Sequence, residues 1–155
     1  MSGHKEFARG NESLESIFEF TSEFFVRNRL DPRILPIVDF AVEELFTNMV
    51  KYGGADASPI AIEIACVDGA VEVALVDTGV EPFDMTQAPD VEVHGPIEER
   101  KAGGLGLHLV RRLVDSWDYR YSKELRQSRI TFRKAFAKSQ ARAAASAEGG
   151  SNAVD

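Results

Sequence analysis

Apolar residues recur along this chain with two different spacings, and the change from one to the other divides it into blocks. From Asn11 to Arg29 the positions Leu14, Ile17, Phe18, Phe24 and Phe25 follow a helical period. Asp31-Pro32 then reads as a helix start, with Asp as cap and Pro tolerated in the first turn. Pro36 has no N–H to donate, so the regular helix is expected to begin nearer Pro36. It runs to about Tyr52, where Gly53-Gly54 stops it, and Ile37, Ala41, Leu45 and Met49 bury one face. Beyond a loop at Ala55 to Ser58 the spacing falls to two. Ile60, Ile62, Ile64 and Cys66 alternate outward, Asp68-Gly69 supplies a tight turn, and Val71, Val73 and Leu75 alternate back.

From Val80 to Ala102 no period survives, and Pro82, Pro89 and Pro96 mark a long loop of the kind that serves as a lid or binding loop. Lys101-Ala102-Gly103-Gly104 leads into a further apolar-faced helix, expected from Leu105 to Asp115. Trp117 to Leu125 and Arg129 to Phe136 read as a second antiparallel pair turning around Arg126-Gln127-Ser128. Lys5 to Arg9 is expected to add an edge strand. Helices and strands in separate blocks predict an α+β fold: a two-layer α/β sandwich whose mixed or antiparallel sheet is covered on one face by helices. Residues 1–136 form one domain on this reading, and the alanine- and serine-rich tail 137–155 is expected to be partly disordered.

Composition narrows the function classes. A formal net charge of -7 argues against a generic binder of nucleic-acid backbones, so no direct nucleic-acid partner is expected. A single cysteine, Cys66, excludes an internal disulfide framework and a cysteine-based zinc site, and its place in an alternating apolar run suits simple packing. No apolar run approaches membrane-spanning length, and Met-Ser-Gly-His-Lys-Glu has no signal-peptide core. The expected location is cytoplasmic, with no membrane partner.

Three short segments carry candidate chemistry. Glu44 and Asn48 stand one helical turn apart on one face, where a carboxylate can take a proton and an amide oxygen can ligate a hard cation. The same pair also fits the polar edge of an ordinary amphipathic helix. Asp77, at the end of the second hairpin strand, is followed by Thr78-Gly79. It suits either a turn cap or an acceptor for an exocyclic amine, with Gly79 admitting a ring. Gly103-Gly104-Leu105-Gly106 enters a helix and can present backbone N–H groups to phosphate, with Lys101 nearby as a cation. It lacks the Gly-Lys-Ser/Thr ending of a Walker A loop, and the helix-strand order is wrong for a dinucleotide fingerprint.

Taken together, Glu44 to Asn48, Asp77-Thr78-Gly79 and Gly103-Gly104-Leu105-Gly106-Leu107 resemble, in order and spacing, the N, G1 and G2 boxes of the histidine-kinase-like ATPase superfamily. The chain is most similar to its small bacterial members, the anti-sigma-factor serine kinases, over roughly Asn11 to Phe136. That resemblance implies a Bergerat-type ATP-binding fold and ATP with Mg²⁺ as cofactors. Asn48 would be the metal ligand and Glu44 the general base acting on a protein serine. Asp77 would bind the adenine amine and Gly79 make room for the base. Gly103, Gly104 and Gly106 would wrap the phosphates, with Lys51, Lys101, Leu105 and Leu107 as further cofactor contacts and Thr131 near adenine. The implied partners are a sigma factor and the antagonist protein whose serine is phosphorylated, and the implied assembly is a homodimer. Asp77-Thr78-Gly79-Val80-Glu81 lacks the second glycine common in larger sensor kinases, a departure the small serine kinases share. A nucleotide-binding interaction module without phosphotransfer is the rival reading.

Overall fold

An isoleucine at every second position between Ile60 and Ile64 leaves a strand only one face to bury, and that face sets the architecture. The computed structural model describes residues 1–53, 58–87 and 104–136. Five strands, β1 (Ser2–Phe7), β2 (Ile60–Val67), β3 (Ala70–Thr78), β4 (Ser116–Ser122) and β5 (Gln127–Ala135), form one sheet in the order β1-β2-β3-β5-β4. Every neighbouring pair is antiparallel. Among the described residues, α1 (Leu14–Arg27), α2 (Leu35–Tyr52) and α3 (Gly104–Leu113) supply the second layer. Ile60, Ile62, Ile64, Val71, Val73, Leu75, Ile130 and Phe132 from the sheet share one core with Ile17, Val38, Leu45, Phe46 and Val110 from the helices. Each such side chain, fully withdrawn from water, contributes on the order of 1.5–3 kcal/mol before conformational entropy is set against it.

Local chemistry fixes the element ends. Asp68 and Gly69 both take positive φ, 47° and 76°, the geometry of the two-residue hairpin turn that Asp-Gly favours. The Asp31 side chain accepts from the backbone N–H of Arg33 at 2.9 Å and opens a single turn of 3-10 helix, Pro32–Ile34. α2 then starts at Leu35, so Pro36 lies where its missing N–H would have had no helical partner. Thr21, fully buried on α1, donates its hydroxyl to Asp39 of α2 at 2.6 Å, a polar link between the two helices.

Two sequence expectations shift. The first strand is Ser2–Phe7 rather than Lys5 to Arg9, because Phe7 pairs with Ile60 and the chain then leaves the sheet, turning Arg9 inward. The turn of the second hairpin lies at residues 123–126 rather than 126–128. Ser122 pairs with Gln127, and Arg126 takes the left-handed conformation, φ 49°. The expected loop at 80–102 is described only to Gln87, and the tail 137–155 lies outside the described residues. Among the described residues, no helix is long and apolar enough to cross a membrane.

Candidate functional site

Strand pairing aligns Phe7, Ile60, Asp77, Ser128 and Tyr121 in one row across all five strands. Asp77 has the parity of Val71, Val73 and Leu75, so the register that buries those residues also carries its carboxylate under the helices. It is 3% exposed. Burial pushes its carboxyl above the usual range, while the hydrogen bond and charge of Arg9 pull it back down.

A small cleft opens beside Asp77. Asn48, Met49, Tyr52 and Gly53 at the end of α2 line one side, and Asp77 and Ser128 of the sheet line another. Val80, Glu81, Phe83 and Met85, on the segment after β3, complete it. Tyr52 and Phe83 stack with ring centroids 4.8 Å apart, and each is about half exposed. That segment is held from the sheet edge. Tyr121 donates its hydroxyl to the Val80 carbonyl at 2.7 Å, and the Tyr119 hydroxyl accepts from the Phe83 N–H at 3.0 Å.

One helical turn below, Asn48 is 5% exposed and donates Nδ2 to the Glu44 carbonyl at 2.7 Å. Only the amide nitrogen can make that bond, which leaves Oδ1 as the acceptor in the cleft wall. Glu44 is half-buried; burial raises its carboxyl above the ordinary glutamate range, and the charge of Glu43 adds to that. Its carboxylate lies against Gly106 in the first turn of α3, so closely that a Cβ on Gly106 would overlap Glu44 Oε2. The base candidate of α2 thus meets the glycine-rich entry of α3, whose first-turn N–H groups and positive end favour anions. Among the described residues no three His, Cys, Asp or Glu side chains converge as a metal cage. The oxygens present fit a hard ion completed by phosphate and water, as magnesium usually is.

The remaining sequence candidates divide. Thr131 does not join the cleft: it pairs with Ala74 between Ile130 and Phe132, so its side chain takes the opposite face of the sheet, beside Arg129 and Glu63. Ser128 is the β5 residue that lines the cleft instead. Leu107 is a core residue at 4% exposure, whereas Leu105 is 40% exposed. Lys51 is exposed, with its Nζ 5.3 Å from the centroid of the Tyr52 ring. Gly79 is needed for its positive φ of 80°, since among the described residues a Cβ there would meet only Ser58 Oγ at 3.8 Å. Lys101 and Gly103 lie outside the described residues; Gly104 opens α3.

Arg9 is the residue the sequence reading missed. Its Nη2 bonds Asp77 Oδ1 and its Nη1 donates to the Met49 carbonyl at 2.9 Å. The side chain is 9% exposed. Gly53 makes the passage possible, for a Cβ there would overlap Arg9 Nη1 and stand 2.7 Å from the Met49 carbonyl.

The histidine kinase-like ATPase domain family matches residues 7–134. No curated protein sequence matches the chain. Among solved structures, the RsbU and RsbW domains of Rv1364c from Mycobacterium tuberculosis superpose with a TM-score of 0.63 at 16% identity, covering 88% of this chain and 32% of that one. This chain therefore spans about a third of that protein. The SiaB-SiaC complex from Pseudomonas aeruginosa gives a TM-score of 0.56 at 16% identity, over 86% of this chain and 89% of the other. At such identities the likeness is one of fold.

Proposed function

The chain belongs to the histidine kinase-like ATPase domain family, and from that premise we propose that it binds ATP with Mg²⁺ and transfers the γ-phosphoryl group to a serine of a partner protein. The observation that carries the reading is the meeting of three separate elements. Asn48 and Asp77 line one cleft, and Glu44, one turn from Asn48, packs its carboxylate against Gly106 at the start of α3. Asp77 accepts from the base amine, and the entry of α3 receives the phosphates. Magnesium, when bound, would be held by Asn48 Oδ1 and would neutralise phosphate charge. Glu44 takes the proton of the attacking hydroxyl. Its raised pKa suits that task, because a carboxylate with a higher pKa is the stronger base once ionised. Phosphoryl transfer asks a protein for positioning and charge neutralisation, and these residues supply both.

In this proposal the serine belongs to an antagonist in a partner-switching pathway, and the chain acts as a cytoplasmic homodimer that holds a sigma factor until the antagonist releases it. The fold shared with the RsbW-containing structure supports that assignment. The test is transfer of label from γ-labelled ATP, with Mg²⁺, onto proteins from the chain's own cells. Labelled phosphoserine that disappears with Glu44→Gln is the expected result. Nucleotide binding without any labelled serine would favour the module that switches partners without phosphotransfer.

A further inference from the structure

The cation beside the base-reading carboxylate comes from the far edge of the molecule. Arg9 follows β1, the edge strand, yet its guanidinium reaches Asp77 on β3 and the Met49 carbonyl on α2, the two walls of the cleft. Two features say that this placement serves Asp77 rather than Arg9. First, the Arg9 Nε–H is buried with no acceptor among the described residues, although a buried unpaired donor is costly and uncommon. The guanidinium is therefore oriented by its contacts to Asp77 and Met49 at the expense of its third donor position. Second, Gly53 leaves the space that Arg9 Nη1 occupies, so the end of α2 is shaped around it.

We infer that Arg9 is a positioning residue for base recognition: by holding Asp77 Oδ1 it fixes the carboxylate so that Oδ2 is the acceptor presented to an exocyclic amine of the base. Among the described residues, Asp77 takes its one hydrogen bond at Oδ1, and the residue lines the cleft. A carboxylate fixed this way accepts but cannot donate. It favours a purine carrying a 6-amine and opposes one carrying a 6-oxo group, which would set two acceptors against each other. Without Arg9 the buried carboxyl is free to rotate and more readily protonated. A protonated carboxyl can donate to the oxo group, so discrimination falls.

This inference rests on the ATP-binding reading, and the test separates the two. Magnesium-loaded ATP and ITP, which differ in the 6-amine and 6-oxo groups, are titrated against the wild-type chain and against Arg9→Met, Arg9→Gln and Arg9→Lys. The wild type is expected to prefer ATP by about 10- to 100-fold, the range a hydrogen bond to a charged group supplies. Arg9→Met and Arg9→Gln are expected to reduce that preference to below about threefold, whereas Arg9→Lys, which keeps a cation beside Asp77, retains most of it. A purely structural Arg9 would weaken both nucleotides equally and leave the ratio unchanged; that result overturns the inference while nucleotide binding stands. Equal affinity of the wild type for both nucleotides also overturns it. Binding of neither by the wild type removes the ATP reading itself. Should Arg9→Met fail to fold, Arg9→Gln and Arg9→Lys carry the comparison.

Discussion

The regions proposed to hold the base and the phosphates are built by different means. At the first, Asp77 is a strand residue whose direction follows from sheet register, and its partner Arg9 is nearly as buried as it is. At the second, Glu44 and Asn48 stand on one face of α2, and Glu44, partly exposed, lies against a glycine of α3. The first is continuous with the core; the second is a seam between two helices. Damage at the first therefore falls on the fold, and damage at the second on the chemistry.

Asp77→Ala breaks this comparison hardest. It leaves the Arg9 cation buried without its carboxylate, and removing one partner of a buried pair typically costs about 3–5 kcal/mol. Urea unfolding is expected to show that loss, together with loss of ATP binding. Glu44→Gln, by contrast, is expected to leave the unfolding curve and ATP affinity close to wild type and to lower transfer by about 10²–10⁴-fold, the usual contribution of a general base. A fall in stability comparable to that of Asp77→Ala would remove the distinction between the two regions.

Gly106→Ala sharpens the picture. The added Cβ overlaps the tip of a flexible side chain rather than backbone, so Glu44 can move aside at little cost to the fold. Alanine in a helix gains up to ~1 kcal/mol over glycine, so thermal stability is expected to hold or rise slightly. Transfer is expected to drop about tenfold or more because the base has been displaced. The smallest effect concerns pH. Transfer needs Glu44 deprotonated, and the charge of Glu43 helps hold its pKa above the ordinary glutamate value. Activity is therefore expected to fail on the acid side at a higher pH than for an ordinary glutamate base. Glu43→Gln is expected to move that limb downward in a pH–rate profile; an upward shift would contradict the assignment.

Much of this arrangement was legible before the structure. Asp68-Gly69 announces its hairpin because both residues tolerate the positive φ the turn demands. The position of Pro36 foretells where α2 begins. The other turn was misplaced because Arg126 adopts a left-handed conformation with none of the glycine or asparagine that usually signals it. Thr131 was a different failure: Arg129-Ile130-Thr131-Phe132-Arg133 alternates plainly, and since Ile130 and Phe132 enter the core, Thr131 has to face away. Arg9 could not have been read from local pattern. Its role depends on β1 pairing along the edge of β2 and on an ion pair to a residue 68 positions later in the chain.

The central claim, a nucleotide site requiring magnesium, is tested most directly by calorimetric titration of the purified chain with ATP, with and without Mg²⁺, alongside Asn48→Ala. Saturable binding that tightens with Mg²⁺ in the wild type, and loses that dependence when Asn48 is replaced, is the expected result. No binding at millimolar ATP with Mg²⁺ present would contradict it.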